Sequence, residues 1–550
     1  MQLTGILVDL HQRRLYPAEI RIDEGRIVEI QELPGPLPPA DPSDRPCILP
    51  GFVDAHVHVE SSMLPPTEFA RMTVLHGTVA TVSDPHEIAN VLGVPGVEWM
   101  VQNARQTPFK FCFGAPPCVP ATTFETAGAT LGPEDVEFLL KTYPEIGYLA
   151  EVMNFPGVLH GDADMLAKIA VAKRLGKPVD GHAPGLRGAD ARHYAEAGIQ
   201  TDHECFTADE ARDKLAAGMK ILIREGSAAK NFEALIPMLP EHWPNLMFCS
   251  DDKHPDSLEA GHLNELVKRA LAHFPEKLFE ILTVACINPV EHYRLPVGLL
   301  RVGDPADFIV VDNLHEFNVL QTYLNGELVA ERGRSLLPHQ PVTAVNRFEC
   351  SPKKIFDFGF WIFDSKNDQS KIQNPKFKII EALDGQLITN ALTLPPDADD
   401  VLKLTVVNRY ADAPPAVAFI RGFGLRRGAI ASSVAHDSHN VIAVGADDES
   451  LCEAVNLVIQ ERGGVAVVDG DRREILPLPI AGLMSDLDGY EVARRYASLD
   501  ALAKELGSPL AAPFMTLSFM ALLVIPHLKL SDRGLFDGDA FKLIPMFAKY

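Results

Sequence analysis

Two histidines a single residue apart, His56 and His58 in Pro50-Gly-Phe-Val-Asp-Ala-His-Val-His, are the first residues of the chain whose type and spacing suggest chemistry. Side chains two apart on a strand project to the same face, so the two imidazoles can ligate one metal ion. An isolated H-x-H also arises by chance, as a pair of hydrogen-bonded core histidines. Four further residues reverse that reading. Glu151 stands in Leu149-Ala-Glu-Val-Met-Asn, His182 in Val179-Asp-Gly-His-Ala-Pro, His203 in Thr201-Asp-His-Glu-Cys and Asp251 in Phe248-Cys-Ser-Asp-Asp, each closing a short apolar run. Imidazole nitrogen and carboxylate oxygen suit borderline divalent metals, and four histidines with two carboxylates suffice for two ions. Glu151 is the carboxylate placed to bridge them. Asp252 can exchange roles with Asp251 if its strand ends one residue later.

These residues need a scaffold that brings distant segments to one rim. Between residues 50 and 290 apolar runs alternate with helical stretches, the pattern of βα units on a parallel sheet. Eight candidate strands fall at 52–57, 79–83, 109–113, 147–152, 178–182, 199–203, 220–223 and 246–250. That is the length and count of a (β/α)8 TIM-like barrel, whose catalytic groups sit at the C-terminal ends of its strands. Residues 1–49 carry β-like runs and a proline-rich linker at 34–46, and 291–340 has a similar texture, so the two flanks are expected to form a small β-sandwich around the inserted barrel. Residues 345–550 form an additional C-terminal α+β domain, with a polar, lysine-rich loop at 365–375.

Of the 550 residues, 50 are basic and 74 acidic, a net charge of −24 that leaves no face basic enough to hold a phosphate backbone. Nucleic acid is therefore not expected as a partner. A membrane is not expected either: the N-terminus lacks a secretory signal, and the longest apolar stretch, 514–525, is too short to span a bilayer. Eight cysteines with no C-x-x-C pair fit neither a disulfide scaffold nor a zinc ribbon. We expect a cytoplasmic protein with reduced core thiols, and a homodimer, the commonest closed assembly.

The chain resembles the adenine deaminases of the amidohydrolase superfamily over nearly its whole length. The matching blocks include Gly51-Phe-Val-Asp-Ala-His-Val-His-Val-Glu-Ser-Ser-Met, Asp84-Pro-His-Glu-Ile-Ala-Asn-Val, Glu151-Val-Met-Asn-Phe-Pro-Gly-Val, Ile223-Arg-Glu-Gly-Ser-Ala-Ala-Lys-Asn and Gly428-Ala-Ile-Ala-Ser-Ser-Val-Ala-His-Asp-Ser-His-Asn. The resemblance implies hydrolysis of adenine to hypoxanthine and ammonia by a divalent metal pair, manganese first, with iron or zinc as alternatives. Many superfamily members carry a carbamylated lysine on the fourth strand. Glu151 stands there instead, which argues against the hydantoinase and dihydroorotase branches. The alternative reading keeps the barrel and metals for another heterocyclic amine or a cyclic amide.

For adenine, Asp251 takes the proton of the attacking water and passes it toward the departing amine. Glu60 or Glu204 donates a proton to a ring nitrogen. Glu60 keeps the alternation of His56 and His58, whereas Glu204 would face away on a regular strand. His86, after the second strand, either touches substrate or a further metal or caps the following helix. Arg224, Glu225, Ser227 and Lys230, after the seventh strand, are placed to shape the pocket. His436, Asp437 and His439 in the C-terminal body read as a hydrogen-bonded loop near the barrel mouth rather than a second metal cluster.

Overall fold

The computed structural model describes residues 1–34, 45–359, 376–395 and 398–547. Most of the proline-rich linker and all of the expected loop at 365–375 lie outside the described residues.

The first sheet is built from both flanks. Strands β1 (Gln2–Asp9), β2 (Arg14–Asp23), β3 (Arg26–Glu32) and β4 (Cys47–Pro50) join β13 (Phe308–Val311), β14 (Val319–Leu324), β15 (Glu327–Glu331) and β16 (Arg334–Ser335). The ladder is continuous, in the order β16-β15-β14-β13-β4-β1-β2-β3. Its seam is β4, antiparallel to β13 and parallel to β1. The two-residue period of the strands gives each face its own work: Leu7, Ile20, Ile48 and Phe308 form a small core of the sheet, while Val8, Leu49 and Ile309 pack toward the barrel. A single residue, Gly51, separates β4 from the first barrel strand. A Cβ there would lie 2.2 Å from the Val79 side chain, so only glycine fits.

Eight parallel strands follow: β5 (Phe52–Val57), β6 (Thr78–Ser83), β7 (Lys110–Ala115), β8 (Ile146–Val152), β9 (Val179–Gly181), β10 (Thr201–Asp202), β11 (Lys220–Arg224) and β12 (Leu246–Cys249). β5 to β9 pair in sequence, as do β10 to β12. Two bonds close the ring: Gln200 N–H donates to Val179 O (2.9 Å), and Asp251 N–H donates to His56 O (2.9 Å). The strands are buried on both faces, as parallel sheets covered by helices must be. β9 and β10 are shorter than the sequence pattern suggests, so His182 and His203 stand just beyond the ladder.

The C-terminal body is built on a second eight-stranded sheet: β17 (Phe377–Ala382), β18 (Thr389–Leu394), β19 (Leu402–Val407), β20 (Ala416–Arg421), β21 (Ala429–Ser432), β22 (Val441–Gly445), β23 (Gly464–Asp469) and β24 (Arg472–Pro477). They run in the order β18-β17-β20-β19-β22-β21-β23-β24. The helix Asp448–Glu461, whose Asp447 side chain caps its N-terminus, lays Leu451, Val455 and Val458 on one face of the sheet. The other face, with Leu404, Ile430 and Val444, joins Phe514 and Met515 and the barrel residues Met63 and Phe69 in one contiguous core. The body is thus packed onto the catalytic rim of the barrel. No helix among the described residues is long and apolar enough to cross a membrane, and seven of the eight cysteines are buried.

Candidate metal centre

The six expected ligands converge at the strand ends, all buried. The Nε2 atoms of His56 and His58 face each other at 3.2 Å. Asp251 Oδ1 lies 3.6 Å from the first and 3.3 Å from the second. Glu151, from β8, reaches both halves of the site: Oε1 is 3.6 Å from His58 Nε2, and Oε2 is 2.8 Å from His182 Nδ1 and 3.1 Å from His203 Nε2. The atoms of His56, His58 and Asp251, and those of His56, Glu151 and His203, lie within 4.8 Å of one another. Asp251 reaches its place because its backbone turns left-handed (φ 54°) directly after β12.

The donor set fits a divalent pair. Two imidazole nitrogens 3.2 Å apart are close enough to ligate one ion, His182 Nε2 has no hydrogen-bond partner, and the mixed N/O chemistry suits borderline ions. Burial pushes both carboxylates up, yet His182 and His203 hold Glu151, and Arg224 with His56 and His58 holds Asp251, well below the usual carboxylate range. Both therefore stand ready as anions, the form a metal requires.

Arg224, expected only to shape the pocket, is the buried cation of the site. Its NH1 donates to Asp251 Oδ2 (2.6 Å), and NH1 and NH2 fork onto Glu204, with NH2 2.9 Å from Oε2. Glu204 does not face away as strand alternation predicts. β10 ends at Asp202, so His203 and Glu204 follow a loop path, and both line the cavity. Glu60 departs in the other sense: β5 ends at Val57 and Val59–Ser62 forms a 3-10 turn, so the alternation stops. Its carboxyl accepts from Ile88 N–H (3.3 Å) behind the cavity wall. Burial and the neighbouring Glu87 push it up to about 8.

His86 begins the helix His86–Leu92 and lines the cavity. Its Nδ1 lies 3.2 Å from Asp84 Oδ2 and 3.5 Å from Glu151 Oε1, and its ligand atoms cluster with those of His58, Asp84 and Glu151. Glu225 and Ser227 are not among the residues that line the cavity. The chain turns away after β11, with Glu225 bridged to Lys230; Glu225 pairs with Arg269, and Ser227 Oγ accepts from His254 N–H (2.8 Å). Neither they nor Lys230 line the cavity. Asp252, the alternative ligand, accepts from Ser61 Oγ (2.5 Å) instead.

Of the roof, the sequence shows only one loop. Leu387, His436, Asp437, Phe519 and Leu522 of the C-terminal body close the cavity opposite the ligands. Only the Ala435-His-Asp-Ser-His-Asn motif signalled it. His436 and Asp437 do sit in a loop at the barrel mouth, between β21 and β22, while His439 lies behind them, its Nδ1 accepting from Ala435 N–H (3.3 Å). The cavity between the ligands and the roof has a volume of about 20 Å³, room for a single water.

Residues 47–329 match the Amidohydrolase family, and residues 382–542 the Adenine deaminase C-terminal domain. The chain is 58% identical over 551 residues to an adenine deaminase of Sulfurovum sp., covering 99% of both chains. It is 55% identical over 557 residues to an adenine deaminase of Salinibacter ruber, covering 99% of this chain and 98% of that one. It is 48% identical over 559 residues to an adenine deaminase of Methanosarcina mazei, covering 99% of both. With a barrel-rim donor set of four histidines and two carboxylates, and relatives matched from end to end, the chain belongs to the adenine deaminase family of amidohydrolases.

Proposed function

We propose that the protein hydrolyses adenine at C6, releasing ammonia and hypoxanthine. The observation that carries this is the intact six-residue donor set in a chain that matches adenine deaminases along its full length. His56, His58 and Asp251 would hold one ion, His182 and His203 the other, and Glu151 would bridge them. Bound there, a divalent pair supplies Lewis acidity that lowers the pKa of water from about 15.7 toward about 7.

The chain does the rest. Asp251, within 3.6 Å of His56 and His58, takes the water's proton and delivers it to the departing amine, a role worth roughly 10² to 10⁴ in rate. Arg224 fixes the orientation of Asp251 and Glu204 together. Of the two candidate partners for the ring nitrogen, Glu204 lines the cavity and Glu60 does not, so Glu204 faces the heterocycle. The apolar side chains of Met153, Leu387, Phe519 and Leu522 exclude bulk water and suit a neutral flat base.

Manganese is the proposed metal, with iron or zinc as alternatives. We place the protein in the cytoplasm as a homodimer, the commonest closed assembly. Its proposed division is a β-sandwich from 1–49 and 291–340, the barrel at 50–290, and the C-terminal domain at 345–550.

The test is to strip the purified protein of metal, reload it with manganese, and follow ammonia release from adenine, with adenosine, cytosine and guanine in parallel. Fast release from adenine that depends on about two ions per chain is the expected result. No release from adenine by the two-metal protein overturns the proposal.

A further inference from the structure

We propose that Asp437 is a substrate-binding residue that accepts a hydrogen bond from the ring N–H of the purine's five-membered ring, so that the enzyme selects the free base over N9-substituted forms. This rests on the adenine reading above and adds to it a contact supplied by the C-terminal body.

The loop that carries Asp437 is fixed from several sides. His439 N–H donates to Ala435 O (2.8 Å), and Tyr410 OH donates to Ser438 O (2.6 Å). Asn440 accepts from Arg409 N–H (3.1 Å) and donates to Thr126 O (2.9 Å). The buried Arg409 guanidinium donates to His439 O (3.3 Å). Such a loop places one side chain in one position, as a binding residue needs.

Asp437 uses only one of its two oxygens within the protein, facing His86 with Oδ1 and leaving Oδ2 without a partner. It is 3% exposed, and its Oδ1 stands 3.5 Å from His86 Nε2, beyond a normal hydrogen bond. Its Oδ2 is buried with no partner at all. Native proteins rarely leave such an acceptor unpaired, and the exceptions need a reason. Here both Asp437 and its neighbour His436, whose Nε2 is likewise unpartnered, face the cavity over the metal ligands.

The surroundings describe the missing donor. The His436 ring stacks on Phe519 (centroids 5.3 Å apart, planes 28°), giving a flat wall continued by Leu387 and Leu522. His86 spans the gap between Asp437 and Glu151, with Nε2 3.5 Å from one and Nδ1 3.5 Å from the other. The acceptor therefore sits one imidazole ring and two 3.5 Å gaps from Glu151, a span that holds the reach from C6 of a purine to its five-membered ring and a hydrogen bond beyond it. Free adenine carries an N–H on that ring. A nucleoside or 9-methyladenine carries none.

The experiment compares adenine with 9-methyladenine in the manganese-loaded enzyme and in Asp437→Ala and Asp437→Asn. Losing a hydrogen bond to a charged acceptor costs about 10- to 100-fold, so Asp437→Ala is expected to lose that much kcat/KM for adenine, mostly through KM. The same variant should bring the two bases within about fivefold of each other, while Asp437→Asn, which keeps an acceptor oxygen, recovers part of the adenine activity. Both variants should retain the wild-type metal content.

Three results overturn the proposal: 9-methyladenine turned over as well as adenine by the unaltered enzyme, an unchanged adenine KM in the alanine variant, or loss of a metal equivalent, which would make Asp437 a ligand. If Asp437→Ala does not fold, the asparagine variant and the unaltered enzyme with both bases still decide. Inactivity of the unaltered enzyme toward adenine overturns the function reading itself, a distinct outcome.

Discussion

Replacing Arg224 with methionine should cripple the enzyme and weaken its hold on the ion that Asp251 would help to bind. The guanidinium is fully buried and joins Glu204 to Asp251, with contacts of 2.9 and 2.6 Å. Two carboxylates gathered on one guanidinium lie on the order of 5 Å apart, where at an effective dielectric of about 20 they repel by about 3 kcal/mol. Methionine fills much of the volume and offsets none of that charge. Breaking a buried ion pair from one side costs about 3–5 kcal/mol, enough to swing Asp251 off its position between His56 and His58. With the proton acceptor displaced, kcat for adenine should fall by roughly 10² to 10⁴, read as ammonia release alongside metal content and circular dichroism of the same samples.

The double variant Arg224→Met/Glu204→Gln makes the reasoning specific. Removing one of the two carboxylates removes the repulsion, so the coupling energy should be favourable by about 1–3 kcal/mol. Arg224→Lys should rescue only in part, because an ammonium cannot fork across two carboxylates. The argument is refuted if Arg224→Met keeps activity within threefold of the unaltered enzyme at two metals per chain, or if the two substitutions combine additively.

Two further predictions test the positions that the sequence misplaced or overlooked. Glu225→Gln and Ser227→Ala should each leave kcat/KM within about threefold of wild type, because their partners are Arg269 and the His254 N–H outside the cavity and such sites seldom couple to chemistry; a hundredfold loss in steady-state assays would put the 225–230 turn back in the pocket. Lys529 is buried, donates to Leu387 O (2.5 Å) and Phe519 O (3.0 Å) on the roof, and is pushed down to about 7 by burial. The unfolded chain, with this amine near about 10.4, binds a proton between those values that the folded chain releases, so stability rises with pH there by at most about 1.4 kcal/mol per unit. Lys529→Met should therefore flatten the rise from pH 7 to 9 by about 2 kcal/mol, measured as the difference between thermal unfolding curves, and parallel curves for the two proteins would dismiss it.

The convergence of His56, His58, Glu151, His182, His203 and Asp251 is legible in the sequence because its rule is local. A period of two along β5, and apolar runs that stop at Glu151, His182, His203 and Asp251, need only the geometry of a strand and the polarity of a parallel barrel. The same rule failed where the strands stopped early. Glu204 was assigned to the wrong face because β10 ends at Asp202, and the alternation credited to Glu60 ends with β5 at Val57. Strand ends are set by tertiary packing, which periodicity does not encode. Glu225 and Ser227 were misplaced for a related reason: lying after a strand's C-terminal end is necessary for a rim residue but does not say which way the loop turns, and the bridge from Glu225 to Lys230 turns it outward.

The roof was hidden for a different reason. Leu387, Asp437 and Phe519 stand more than a hundred residues beyond the last barrel ligand, in a body whose own sheet and helices are complete without reference to a metal. Only their side chains over Glu151 and His203 connect them to it, and apart from the His436–Asn440 motif nothing in their local pattern announces that contact. This division of labour has a chemical consequence. In the proposed mechanism the barrel rim carries the groups that act at the C–N bond, whereas the shape and polarity above it come from the C-terminal body. Substrate choice in this chain is therefore expected to change through substitutions at 387, 436–437 and 519–522 that leave the ligands and their geometry untouched.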